Sequence, residues 1–164
     1  MKPILKYLAV FIVGGLLGTG AGFAVGIFVY PYLFLADVVA NEPMTNMASK
    51  TLLARGTFIH ADPSDPVHYG SGGVTVYEDA VYLAPDFEVG PGPKFHVYLV
   101  PKAGLRRSSD LKGQDFVDLG RLRAFKGSQL YQVPAGINVS MYDSVIIWCE
   151  AFGVLISPAD LDRG

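Results

Sequence analysis

The sequence predicts an all-β domain, an antiparallel β-sandwich or barrel-like sandwich, preceded by one N-terminal transmembrane helix. Three observations carry this. No charged residue occurs between Tyr7 and Leu35. From Thr51 onward, short runs of alternating apolar residues are separated by Gly, Pro and Asp clusters, the signature of half-buried strands joined by tight turns. After Ser49 no stretch of about twelve residues keeps a 3.6-residue period.

The run "YLAVFIVGGLLGTGAGFAVGIFVYPYLFL" is longer than the ~30 Å hydrocarbon core requires of a helix. It is also about twice the apolar length of a cleaved signal peptide, so an anchor is expected. Lys2 and Lys6 precede it, and Asp37 and Glu42 follow it. Positive charge on the near side places the N-terminus in the cytoplasm and the domain outside, in an extracytoplasmic position. Pro31 is expected to kink or end the helix after Val29 or Tyr30. Gly14, Gly18, Gly22 and Gly26 recur every four residues, a smooth ridge that suits a helix–helix dimer or equally reflects the abundance of glycine in membrane helices. The organisation read from these features is a stub and anchor over residues 1–36, a juxtamembrane linker over 37–50 ("NEPMTNMASK" is polar and aperiodic) and a β domain over 51–164.

Within that domain, strands are expected at Leu52–Ile59, Gly73–Tyr77, Ala80–Ala84, Lys94–Val100, Phe116–Leu119, Gln129–Val133 and Ser144–Ala151. A further short strand is expected near Val154–Ile156. "GGVTVYEDAVYLA" reads as a hairpin turning at Glu78–Asp79, and "DFEVGPGPKFHVYLVP" as a second hairpin turning at its Gly-Pro pairs. "PKAGLRRSSDLKGQD" is the longest polar connection and is expected as a surface loop.

The net charge of −2, with no lysine/arginine cluster longer than Arg106–Arg107, excludes a nucleic-acid partner, which needs a basic stripe to displace counterions from phosphates. No nucleophile elbow, no HExxH, no CxxC and no CxxCH occurs, so an autonomous enzyme is not expected. The pairs Asp62/Asp65 and Glu78/Asp79 fall in turns and read as solvated turn residues.

The chain has one cysteine and one tryptophan, adjacent in "SVIIWCEAF". Strand alternation puts Val145, Ile147, Cys149 and Ala151 on one face and Ile146, Trp148 and Glu150 on the other. A thiol in apolar company has its pKa raised, since its anion is poorly solvated there. Glu150 must reach solvent or meet a cation, for which Arg55, Arg121 and Arg123 are candidates. In "KFHVYLV", Phe95, Val97 and Leu99 face one way and His96, Tyr98 and Val100 the other. A Cys149–histidine pairing through His68 or His96 would be chemically suitable for haem, with Tyr131 as a hydrogen-bonding group. Each histidine also reads simply as a hydrogen-bonding residue.

The motifs "GPGPKFHVYL", "KGSQLYQVP" and "SVIIWCEAF", in this order along Arg55–Leu161, resemble the DM13 family. The resemblance implies a β-rich extracytoplasmic module of an electron-transfer system, with a redox protein partner. It also implies a functional cysteine, as a naked thiol or as the ligand of a prosthetic group such as haem, and that position is Cys149 here. His68, His96, Trp148, Glu150 and Tyr131 are the secondary site candidates. The alternative is an anchored binding or scaffold module in which Cys149 only fills the core.

Overall fold

The computed structural model describes residues 2–43 and 50–164. An α-helix, α1, runs over Lys2–Tyr30, and a wider π-helical turn carries it through Pro31–Leu35. The α-helical pattern stops where Pro31 removes a backbone donor, as the sequence predicts, but the axis does not break there. The helical stretch Pro3–Leu35 is long and apolar enough to cross a membrane.

Eleven strands follow: β1 (Val39–Asn41), β2 (Leu52–Thr57), β3 (Gly70–Ser71), β4 (Gly73–Tyr77), β5 (Ala80–Leu83), β6 (Glu88–Val89), β7 (Phe95–Val100), β8 (Val117–Arg121), β9 (Lys126–Gln132), β10 (Ser144–Cys149) and β11 (Val154–Asp162). They form one sheet in the order β3-β6-β9-β5-β4-β2-β11-β10-β7-β8, with β1 added in parallel to β9. All other pairings are antiparallel. The sheet curls until β8 meets β9 and β3 meets β11, which closes it into a barrel-like sandwich.

Every strand expected from the alternating pattern is present. The fold adds β1, β3 and β6, which have two or three residues each and are too short to show a period of two. Strand β11 is longer than expected because it continues through Ser157–Pro158. There the missing proline N–H faces a stretch where β2 does not pair, since β2 joins β11 only at Leu161–Asp162.

The hairpin at Glu78–Asp79 is present between β4 and β5. The second expected hairpin is not. Glu88–Val89 pairs with β3 and β9, and β7 pairs with β10 and β8. Gly90–Pro93 therefore crosses from one side of the sandwich to the other, and its two prolines offer no N–H for a ladder. Its glycines serve close approach: a β-carbon at Gly92 would collide with the Phe95 ring.

Val139, Phe58, Phe87, Phe125, Tyr131 and Cys149 pack with the inward residues of β4, β5, β7, β10 and β11 into the main core. A second core lies on the outer face of β7 and β10, where Tyr98, Val100, Ile146 and Leu155 are covered by Leu105 and Leu111. The connection after Val100 is thus more than the surface loop its polarity suggests. It straps two buried leucines over the sheet and is pinned by Arg106, which donates to Asp160 at 2.6 Å, and by the Ser108 hydroxyl, which accepts from the Leu155 amide at 2.9 Å.

The stretch expected as a linker begins inside the sheet. Strand β1 lies against Gly127, whose φ of 85° and lack of a side chain let the Ala40 carbonyl come close. The Glu42 carboxylate accepts from Arg123 Nε at 2.6 Å and Nη2 at 2.7 Å, and from the Leu130 amide at 2.7 Å. Burial pushes the Glu42 pKa up, and these charged and backbone donors outweigh it and hold it down. Few residues separate the end of the helix from this tether, so the domain sits close to the anchor. The Phe28 ring stacks on Phe152 at 5.2 Å, in the turn between β10 and β11.

Candidate functional site

Cys149 ends β10, opposite Phe95 of β7 and Val154 of β11. It is 2% exposed and belongs to the main core with Val145 and Ile147, as alternation predicts. Ala151 does not continue that face, because the strand stops at Cys149 and Ala151 lies in the exposed turn. The thiol donates to the Pro93 carbonyl at 3.2 Å, so Gly92 and Pro93 roof the sulfur. Burial pushes the thiol pKa up. The backbone of Phe152 and Ala151 offsets part of this rise, and the Glu150 charge adds to it. The residue is therefore protonated at rest, and the backbone of Ala151 and Phe152 favours the anion without outweighing burial.

His96 lies across from Trp148 in the β7–β10 register, on the outer face, whereas Cys149 faces inward. The structure does not bring His96 to the sulfur. His96 instead joins a charged cluster. Its Nδ1 lies 3.0 Å from Asp118 Oδ2, and its Nε2 lies 3.4 Å from Glu150 Oε2. Lys94 Nζ stands 3.0 Å from the same Glu150 oxygen, and the Tyr98 hydroxyl donates to Glu150 Oε1 at 2.9 Å. The cation that meets Glu150 is thus Lys94, with His96 beside it, and not Arg55, Arg121 or Arg123. Lys94 reaches it from a left-handed backbone conformation, φ 53°, forced between Pro93 and the start of β7.

The Lys94 and Tyr98 hydrogen bonds depress the Glu150 pKa. Burial, followed by the Glu150 hydrogen bond, raises that of Tyr98. The Phe116 ring stacks on Tyr98 at 4.4 Å. One ligand atom from each of His96, Asp118 and Glu150 lies within 4.8 Å of the others, so the trio has the spacing to hold a divalent cation once Lys94 is displaced. Asp118, Lys94 and Tyr98 were not singled out as site residues by sequence. Alternation puts Tyr98 on the face of His96, but the β8 register, shifted by a bulge between Val97 and Tyr98, is invisible without the fold.

Trp148 is half-buried on the outer face. It lines an open cleft of about 500 Å³ with Leu111, Phe116 and Gly153, on the opposite side of the strand from Cys149. His68 pairs with Asp65, Nδ1 to Oδ2 at 2.6 Å, and lines a cleft with Arg106, Ser108 and Leu155 that contains neither Cys149 nor His96. His60 Nε2 lies 2.7 Å from the Asp65 carbonyl. The His68 ring bond and the Val67 and His68 amides hold the Asp65 carboxyl down to about 2. Tyr131 shares the main core with Cys149, but its hydroxyl is committed to Gln129 Oε1 at 2.9 Å. Burial pushes its pKa up to about 12, and the Arg123 guanidinium, 4.2 Å over the ring, acts against that rise.

The surroundings of Cys149 do not fit a haem ligated by sulfur in this arrangement. The thiol proton is given to Pro93, the Gly92–Pro93 roof and Phe95 close over it, and none of the three histidines is on its face or in contact with it.

No curated protein and no solved structure matches the chain. The family model described as electron transfer DM13 matches residues 63–161, more than half of the chain. That span holds Cys149, its Pro93 roof and the whole His96 cluster. A β-rich fold that places one thiol at the end of a central strand thus coincides with a family match over the same residues, and the chain belongs to the DM13 electron-transfer family.

Proposed function

We propose that the protein is a membrane-anchored electron-transfer module, with its N-terminus cytoplasmic and its domain extracytoplasmic, and that Cys149 works by thiol–disulfide exchange with a redox protein partner. The Cys149 sulfur attacks a disulfide of the partner, a mixed disulfide forms as the partner's S–S bond breaks, and the Cys149 proton passes through water to the partner sulfur that leaves. The observation that carries this reading is the sulfur's setting: it is buried at the end of β10 and donates its proton to the Pro93 carbonyl, in the Gly90–Pro93 crossing, while the backbone of Ala151 and Phe152 offsets part of the rise in its pKa. At rest the thiol is protonated and inert, because the thiolate is the reactive form. Lifting the roof breaks the bond to Pro93, hydrates the sulfur and lets the backbone of Ala151 and Phe152 stabilise the anion. The His96 cluster holds Lys94, and through it one end of the roof, by the ion pair to Glu150.

The free thiol is favoured over prosthetic-group ligation because no second ligand shares its face. The membrane anchor would hold the Cys149 end of the domain at the membrane, where Phe28 meets Phe152. The open ridge of Gly14 and Gly18, around which a β-carbon meets nothing within 4 Å, leaves room for a second helix.

A second reading has its own support. An exposure of 2% is what a cysteine that merely fills the core would show. The two are separated by titrating the full chain in detergent against glutathione redox buffers, wild type against Cys149→Val, with haem present in a parallel sample. The redox reading expects a mixed disulfide with glutathione in the wild type, formed and released reversibly as the buffer potential changes and read by intact mass, that the variant lacks at equal folded content. Identical titrations, with no glutathione adduct on either chain, would leave the core reading standing. A Soret band lost in the variant would put haem ligation in place of the thiol.

A further inference from the structure

The last turns of the anchor and the nearby end of the domain enclose a continuous open groove. Its part against the helix, about 590 Å³, lies between Gly22, Gly26 and Tyr30 on one side and Gly92–Pro93 on the other. Its part against the domain, about 320 Å³, is walled by Val38, Phe95, Leu122 and Phe125. Leu35, Gly92 and Arg121 line both parts. A β-carbon at Gly22 or Gly26 would meet nothing within 4 Å, so nothing in the protein fills the helix side.

The charges of the groove are unbalanced. No acidic residue lines either part. Lys94 is paired with Glu150 and Arg123 with Glu42, but the exposed Arg121 has neither an ion pair nor a side-chain hydrogen bond among the described residues. None of the residues outside the description is acidic. The depth of the groove is set by the helix. About 20 residues suffice to cross the hydrocarbon, so counting from Lys6 at the far interface, the near headgroup level falls around Gly26–Tyr30. Arg121 therefore stands where phosphates are, above an apolar channel that opens toward acyl chains.

We propose that this groove binds one anionic phospholipid, its phosphate on Arg121 and an acyl chain along Gly22 and Gly26. The inference rests on the reading of α1 as a membrane anchor. A guanidinium pairs bidentately with phosphate, and a charge-assisted bond of that type is worth about tenfold or more in affinity. A lysine or arginine near an anionic surface gains about fivefold from the diffuse field alone. The lipid would fill the space beside the Gly90–Pro93 roof and fix the Cys149 end of the domain against the membrane.

The test is native mass spectrometry of the full chain, released from nanodiscs of phosphatidylcholine containing a minor share of phosphatidylglycerol. The expected result is one retained phosphatidylglycerol per chain, about tenfold or more over its share of the bilayer. Arg121→Gln removes that enrichment, Arg121→Lys, which keeps the charge but not the bidentate fork, retains only part of it, and Lys112→Gln, on the Trp148 cleft, leaves it unchanged. Equal retention of the two lipids, or undiminished enrichment in Arg121→Gln, would overturn the groove as an anionic-lipid site. Alkaline carbonate extraction separates the two layers. A chain released from membranes would overturn the anchor and the groove together, whereas a chain that stays embedded without lipid preference would overturn the groove alone.

Discussion

Cys149 and His96 occupy neighbouring register positions on β10 and β7, yet they lie on opposite faces of the sheet, the sulfur in the main core and the imidazole among Asp118, Glu150 and Lys94. This separates two chemistries that the sequence invites one to merge. The thiol has no base at hand, and the histidine has no nucleophile. What links them is the chain itself: Glu150 follows Cys149, Lys94 follows Pro93, and the Glu150–Lys94 ion pair ties the end of β10 to the roof over the sulfur.

The first prediction concerns access to the thiol. With the sulfur roofed and protonated, native Cys149 should react with a maleimide at pH 7 at least about a hundredfold more slowly than in the denatured chain, where the thiol is free. Gly92→Ala should speed the native reaction, since the added β-carbon strikes the Phe95 ring and forces the roof to move. Labelling followed by intact mass gives both rates. Equal native rates in the wild type and Gly92→Ala would show that the roof does not govern access.

The second prediction is a pH dependence of stability. The folded thiol holds its proton more tightly than the unfolded one, so its contribution is fully present below the unfolded thiol pKa of about 8.5 and is lost as pH rises through the raised folded value. Cys149→Val has no such proton to lose. Denaturant midpoints should therefore fall more steeply for the wild type than for Cys149→Val above about pH 8.5, and run parallel below it. At neutral pH the variant itself should cost about 1–2 kcal/mol, as for a volume-similar change in a packed core.

The third prediction concerns the opposite end of the pH scale. Asp65 is held down to about 2 by His68 and two amides, so its contribution is present above the ordinary carboxylate range and fades as pH falls toward 2. Asp65→Asn should lower the midpoint at pH 6 and close the gap with the wild type near pH 2. The Asp65 side chain is 35% exposed, so solvent screens the pair and the effect at pH 6 should be small. A gap that persists at pH 2 would mean that the backbone of the loop, not the charge, carries the difference.

These residues also show what a sequence of this kind discloses. Alternation in "SVIIWC" and "FHVYLV" was enough to assign Val145, Ile147 and Cys149 inward and Tyr98 outward, because burial on one face enforces a period of two. The raised thiol pKa follows from the same pattern. Register does not. Which strand adjoins which, and where a bulge shifts the pairing, depends on long-range closure of the sheet, so the meeting of His96 with Asp118 had no local signal. The Gly90–Pro93 stretch reads as a hairpin turn because Gly and Pro mark turns. Here they serve a crossing and a close approach, which composition alone does not distinguish. Glu150 carried a signal, as a charge at the end of an apolar run, but its partner proved to be the lysine brought near by the roof.

The last prediction tests the tie between the outer cluster and the roof. Glu150→Gln keeps the shape of the side chain and can still accept from Tyr98, but it removes the charge that holds Lys94 and faces His96 Nε2. Lys94 sits in a left-handed conformation that a non-glycine residue adopts at a cost of about 1–2 kcal/mol, and the ion pair helps to offset that cost. Losing it should loosen the roof. Maleimide labelling of native Cys149 should rise severalfold in Glu150→Gln, while the denaturant midpoint changes little, as expected for a part-exposed pair. The Tyr98 phenol pKa should fall yet stay above its ordinary value, because burial is the larger cause of its rise and the hydrogen bond to Glu150 the smaller. An unchanged labelling rate would sever the outer cluster from the thiol and leave the His96 cluster with a role on its own face of the sheet. A rate that rises together with a partial fall of the Tyr98 pKa would identify the Glu150–Lys94 pair as the latch on the sulfur.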